Sequence, residues 1–194
     1  DNLIWVLTED GTLTISGNGA MWDYSWGTAP WYGLGIDKLV LEEGITSVGD
    51  YAFIGTWLGN GTLELPDSLC SLGICAFQDI NSHSLTIGPN LTSIGHDALT
   101  RNFWSEINLS EENQAFVYQN GGLYTSDMTR LVTIYRNYEG IFDLPETVIS
   151  IDDNVFGDAH NITEIKFGSS FRGFRTEGFH FMGCSALTCF TVSQ

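Results

Sequence analysis

The sequence predicts a mainly β solenoid, a chain that winds back on itself about once every two dozen residues. Three recurring features predict it. An apolar–x–apolar strand signal appears as Leu39/Leu41, Leu63/Leu65, Leu85/Ile87, Ile107/Leu109, Phe142/Leu144, Ile165/Phe167 and Phe190/Val192, at steps of 24, 22, 22, 35, 23 and 25 residues. A second apolar pair, three residues apart, tracks it as Ile45/Val48, Leu69/Leu72, Leu91/Ile94, Val148/Ile151 and Phe171/Phe174. A closing pair tracks both: Ala52-Phe53, Ala76-Phe77, Ala98-Leu99, Val155-Phe156 and Gly178-Phe179. A period of about 20–50 residues marks a repeat architecture. One such unit cannot bury its apolar face alone, so each coil must rest on the next. The expectation is about six to seven coils of 22–25 residues.

Residues 1–35 precede the repeat. "WVLTEDGTLTIS" alternates apolar and polar residues across Asp10-Gly11, a dipeptide suited to a type I′ hairpin turn. The Gly- and aromatic-rich "GNGAMWDYSWGTAPWYGLG" follows. An end coil has one uncovered apolar face, so the hairpin, with Trp5, Leu7, Leu13 and Ile15, is expected to serve as an N-terminal cap. The solenoid is expected over residues 36–194, with a variant coil and insertion at about 107–141. Within that insertion, Phe116-Val-Tyr118, Leu123-Tyr124 and the stretch from Leu131 to Tyr135 read as short strands separated by turns. The segment from Asn113 to Asn137 is expected to project as a small hairpin-like element over a continuing solenoid. Segments such as "GDYAF" make at most one helical turn.

The unit L-x-L-P-x-x-L-x-x-I-x-x-x-A-F, seen in "TLELPDSLCSLGICAF" and "FDLPETVISIDDNVF" and ended by "GCSALTCFTV", resembles the BspA-like leucine-rich repeat of bacterial surface proteins. "WVLTEDGTLTISGNGAM" resembles the leader often found before such repeats. "NQAFVYQNGGLYTSDMTRLVTIY" is similar to a variant coil of the same family. Ile80, Asn102 and Ala159 stand roughly where the family often has Cys, and Gly88 replaces a Pro. The resemblance implies a right-handed leucine-rich-repeat solenoid displayed outside the cell and associated with adhesion and protein binding. It implies no catalytic residues.

The charge is one-sided: 24 acidic against 7 basic residues, net −17. Phosphate binding needs clustered Lys and Arg, so nucleic acid is not an expected partner. No apolar run approaches the ~20 residues of a membrane helix, so no membrane insertion is expected. No spaced acidic loop of the calcium-binding kind appears. The chain opens inside a strand pattern, so it is expected to be a processed or cloned fragment whose targeting sequence is absent. Cys70 and Cys75 lie several rungs from Cys184 and Cys189, too far to pair with them; a local Cys70–Cys75 pair stays open, and buried or idle thiols are expected. His83, His96, His160 and His180 share no metal spacing and fall in turns. No nucleophile, base and orienter group together, so no catalytic residue, cofactor or metal site is expected and the chain is not read as an enzyme.

Two surfaces remain as candidates. Alternation places Val40, Glu64, Thr86, Asn108, Asp143, Lys166 and Thr191 on the solvent side of the principal strands, stacked rung over rung. Trp22, Tyr24, Trp26, Trp31 and Tyr32 cluster within eleven residues, with Trp57 and Trp104 in other turns. Exposed, these rings would stack on sugars; buried, they would close the open end of the solenoid. The leading reading is a non-catalytic, secreted or cell-surface adhesion domain that recognises a protein partner, host or matrix, through the polar ladder. A structural stalk presenting other domains and a glycan-binding module are the alternatives.

Overall fold

Side chains two apart on a strand share one face, so each L-x-L signal commits a strand to one buried side. The computed structural model describes residues 2–59, 61–174 and 180–193. It is an all-strand leucine-rich solenoid of about eight turns, with no helix among the described residues. Contacts divide the chain into two units, Asp1–Ala115 and Phe116–Gln194.

The first unit holds β1 (Leu3–Leu7), β2 (Thr12–Gly17), β3 (Gly19–Ala20), β4 (Lys38–Leu41), β5 (Ile45–Val48), β6 (Thr62–Glu64), β7 (Ser71–Leu72), β8 (Ser84–Ile87), β9 (Ser93–Ile94) and β10 (Glu106–Leu109). Sheet order is β1-β2-β4, then β6-β8-β10, with a second row β3-β5-β7-β9. Apart from the antiparallel β1–β2 hairpin, every pairing in this unit is parallel. Leu63, Leu85 and Ile107 stand in register, and so do Leu72 and Ile94. All the first-pair residues of this unit are buried except Leu109, which is half-buried.

The coil count exceeds the six to seven expected because the hairpin itself supplies a rung. Strand β2 pairs parallel with β4, Leu13 beside Leu39 and Ile15 beside Leu41, and both β2 residues are buried. The hairpin turn also differs from expectation. Thr8 N–H donates to the Thr12 carbonyl, so the loop has three residues, and only Gly11 takes a positive φ, 77°. This is the three-residue loop closed by a left-handed glycine. Asp10 selects it by accepting from the Thr8 hydroxyl (2.5 Å) and the Thr12 N–H (3.2 Å).

The closing segments are turns, and they too stack. Phe53 N–H donates to the Ala76 carbonyl and Phe77 N–H to the Ala98 carbonyl, both at 2.9 Å. Ahead of each closing pair sits a non-glycine residue in the left-handed region: Tyr51, Cys75 and Asp97, at φ 55°, 52° and 59°. Two residues earlier stands a glycine. A Cβ on Gly73 would lie 2.4 Å from Asp50 N, and one on Gly95 would lie 2.4 Å from the Gly73 carbonyl carbon. Coils approach so closely there that no side chain fits. Inside, Trp31, Phe53 and Phe77 form a column with ring centroids 5.1 Å apart at both steps. Asn102 fills its turn with hydrogen bonds instead of sulfur: its oxygen accepts from Ile80 N–H at 3.0 Å and its amide donates to the Phe77 carbonyl at 2.8 Å.

The second unit holds β11 (Phe116–Gln119), β12 (Gly122–Thr125), β13 (Arg130–Ile134), β14 (Gly140–Asp143), β15 (Ser150–Ile151), β16 (Ile162–Phe167) and β17 (Cys189–Val192). The insertion does not project as expected. Strands β11, β12 and β13 form an antiparallel meander, and β13 then pairs parallel with β15, Leu131 beside Ile151. Leu123, Tyr124, Leu131 and Ile134 are buried, so the insertion is part of the core. Arg130 secures the join through a two-pronged ion pair with the fully buried Asp152, at 2.7 and 2.6 Å.

Sheet β14-β16-β17 carries the last three strand signals, with Phe142 beside Ile165, Ile165 beside Phe190 and Phe167 beside Val192. Register holds, but the expected burial of the last pair does not. Phe190 and Val192 are 52% and 63% exposed, because β17 is the edge strand of its sheet. Val148 and Ile151 are buried, whereas Phe171 and Phe174 are half-buried. Gly178 and Phe179 lie outside the described residues. Of the cysteines, Cys70 and Cys189 are exposed, Cys184 is half-buried and Cys75 is buried.

Candidate functional site

The polar ladder lies where alternation puts it. In the first unit Glu64, Thr86 and Asn108 are consecutive register partners across β6, β8 and β10, flanked by the parallel row Thr62, Ser84 and Glu106. Asn108 donates to Glu106 at 3.1 Å, which ties the two rows together. Glu64 and Asn108 are exposed and Thr86 is half-buried. Val40 pairs with Thr14 in the hairpin sheet and is half-buried, so it belongs to a separate, less polar row. In the second unit Asp143, Lys166 and Thr191 form the matching row across β14, β16 and β17, and Thr191 donates to Glu164 beside it. The seven residues thus fall into three groups.

Acidic side chains clamp successive coils together at the turns. Glu43 accepts from Asp67 N–H and Ser68 N–H, both at 2.9 Å, and Glu146 accepts from Ser169 N–H at 2.7 Å. These backbone donors hold both carboxyls below the ordinary glutamate range.

The aromatic segment divides. Trp31 is 3% exposed: it stacks on Phe53 and its indole N–H donates to the Ala52 carbonyl at 2.7 Å. Trp22 and Trp26 are 65% and 63% exposed, Tyr32 is exposed and Tyr24 half-buried. Trp57 is also exposed, whereas Trp104 is buried and donates to the Leu99 carbonyl at 2.9 Å. Trp5 joins the group. It meets Trp31 edge to face at 6.2 Å and 76°, and Tyr24 does the same from another direction at 5.6 Å and 71°. Between these rings and Trp22 opens a cleft of about 200 Å³. Alternation in β1 was the available signal for Trp5, since it shares a strand face with Leu3 and Leu7. Desolvation raises the Tyr24 phenol above its ordinary range, so the ring is uncharged.

Of the histidines, His83 is exposed and packs on Phe103, and the His160 ring lies 2.5 Å from the Gly183 carbonyl. No helix among the described residues is long and apolar enough to cross a membrane.

The chain matches the family described as the BspA type leucine rich repeat region, in 6 copies over residues 27–138 and 135–194. Among solved structures, a leucine-rich repeat protein from Eubacterium ventriosum is 21% identical over 98% of this chain and 70% of its own, with a TM-score of 0.54. The pneumococcal vaccine antigen PcpA is 14% identical over 93% of this chain and 50% of its own, with a TM-score of 0.63. A leucine rich cell surface protein from Faecalibacterium prausnitzii is 15% identical over 98% and 74%, with a TM-score of 0.61. At such identities the likeness carries the fold. No curated protein matches the chain.

Proposed function

From the premise that this chain belongs to the BspA-type leucine-rich-repeat family, we propose that it is a non-catalytic binding domain, working outside the cell, that recognises a protein partner through its polar ladder. The observation that carries this reading is the Glu64–Thr86–Asn108 row, three side chains in register on a parallel sheet whose other face is buried core. Such a row is extended, pre-organised and free of packing duties, which lowers the ordering cost of binding. The extracellular setting is supported by relatives described as a cell surface protein and a vaccine antigen.

The partner surface is neutral or basic, since the chain carries a net charge of −17 and the ladder offers Glu64, Glu106, Asp143 and Glu164 against Lys166. Charge attraction of this kind steers association and weakens as salt screens it. The test is a variant with Glu64, Asn108, Asp143 and Lys166 all changed to Ala. Exposed or half-buried polar positions that carry no core contact move stability by about ±0.5 kcal/mol each, so the variant should melt close to the parent. Loss of adhesion to candidate host or matrix proteins would support the ladder. Unchanged adhesion with an unchanged melt would remove it.

A further inference from the structure

The cleft beside the hairpin is independent of the ladder and has chemistry of its own. Its walls are Trp5, Trp22 and Tyr24, and its floor is Trp31, whose far face is occupied by Phe53. At about 200 Å³ it exceeds the ~150 Å³ cavity that accepts a benzene molecule in an apolar protein core. Trp5 and Tyr24 each meet Trp31 nearly at right angles, so the rings that line the space stand in different planes. No lining residue is charged; besides the indole N–H groups of Trp5 and Trp22, the polar side chains are the Asn2 amide and the Tyr24 hydroxyl.

The stretch of chain that builds the cleft carries acidic groups only. Residues 2–37 contain Glu9, Asp10, Asp23 and Asp37 and no Lys, Arg or His. Asp23 sits between two wall residues, its backbone flanked by Trp22 and Tyr24, and one of its oxygens accepts from Asp50 N–H at 2.9 Å. Aromatic faces present the negative side of their quadrupole, and a surrounding negative field adds to it. Such a site attracts a cation that needs no hydrogen-bond partners.

We propose that this cleft is an aromatic box for a quaternary ammonium group. A sugar fits it less well: each hydroxyl turned inward needs partners, and the lining offers few, with the Asn2 amide and the Tyr24 hydroxyl as its acceptors. A lysine ammonium carries three donors and meets the same shortage. A trimethylated nitrogen has none to satisfy and spreads its charge over methyl groups that pack against rings.

The test uses the full chain titrated with choline, followed by tryptophan fluorescence and by the indole N–H signals, at ionic strength matched with sodium chloride. Millimolar binding is expected, weakened at least tenfold in Trp22→Ala and in Tyr24→Ala and retained in Tyr24→Phe, which keeps the ring. Trp22 is largely exposed, so its removal leaves the fold in place, and the melting curve checks this. The neutral isostere of choline, with carbon in place of nitrogen, should bind at least tenfold more weakly. Equal binding of the isostere, binding of a methyl glycoside in place of choline, or unchanged affinity in Trp22→Ala would each overturn the proposal. None of these variants touches the ladder, so this result and the adhesion result stand apart.

Discussion

Phe77 shows how far a single side chain reaches in a stacked fold. It is fully buried, lies parallel to Phe53 within 3°, and anchors a column that ends on Trp31. Phe77→Ala should cost about 3–5 kcal/mol in urea unfolding, because the coils on either side cannot collapse into the void independently. Tyr124 behaves oppositely. It is buried, its hydroxyl finds no hydrogen-bond partner among the described residues, and desolvation pushes the phenol far above its ordinary range. Tyr124→Phe should therefore be neutral or stabilise by about 1 kcal/mol, since it removes an unsatisfied polar atom without opening a cavity. A loss of that size instead would reveal a bond the hydroxyl makes. The Phe column could be read from the sequence because repetition labels equivalent positions. The left-handed residues could not: Tyr51, Cys75 and Asp97 share that conformation and no chemistry. Nor could Trp31 be told from Trp22 on paper. Their segment follows no period, so burial there depends on the path of the chain.

At the scale of elements, the repeat strands and their stacking were legible, but the partners of the insertion's strands were not. The short strands of the insertion are present, yet their hydrophobic pattern says nothing of how they join the solenoid. Antiparallel pairing within the meander and parallel pairing of β13 with β15 follow from the Thr125-to-Thr129 turn and from Arg130 reaching Asp152. That turn repeats the first hairpin: Asp127 accepts from the Thr125 hydroxyl and Thr129 N–H, and Met128 holds the left-handed position of Gly11. An insertion built into the core must resist local opening. The amides of Leu123 and Leu131 should exchange with deuterium as slowly as those of Leu85 and Ile165. Fast exchange across β12 and β13 alone would show that the meander opens on its own. The ladder was legible as alternation, but its division into three groups depends on which strands bond, which alternation does not encode.

For the whole molecule the dominant quantity is charge. A net charge of −17 on 194 residues opposes compaction by self-repulsion. Melting temperature at neutral pH should rise as sodium chloride increases from low to several hundred millimolar, since screening relieves that repulsion. Acid acts through particular carboxyls. Glu43, Glu146, Asp10 and Asp127 are each held below their ordinary values by hydrogen bonds, so the native state binds fewer protons than the unfolded one. Their stabilisation is fully present above the ordinary carboxylate range of about 4. It is lost as pH falls through the lower folded values. A Glu43→Gln, Glu146→Gln variant should melt with a flatter dependence on pH below about 4. An acid limb as steep as the parent's would assign the effect elsewhere.

The stacked turn glycines make chain length a quantised property. Gly73 and Gly95 occupy the same phase of neighbouring coils, 22 residues apart, as do Leu72 and Ile94. Excising residues 73–94 joins Leu72 to Gly95, a residue already shaped for the place that Gly73 leaves. Such a deletion removes one whole coil, and the next can dock in its stead with its glycine, its left-handed residue and its closing pair in step. The shortened chain should keep its β circular dichroism and a cooperative melt. Removing half as many residues puts side chains where coils touch backbone to backbone, and should abolish both. Change in this protein is therefore tolerated in whole turns, as links are taken from a chain.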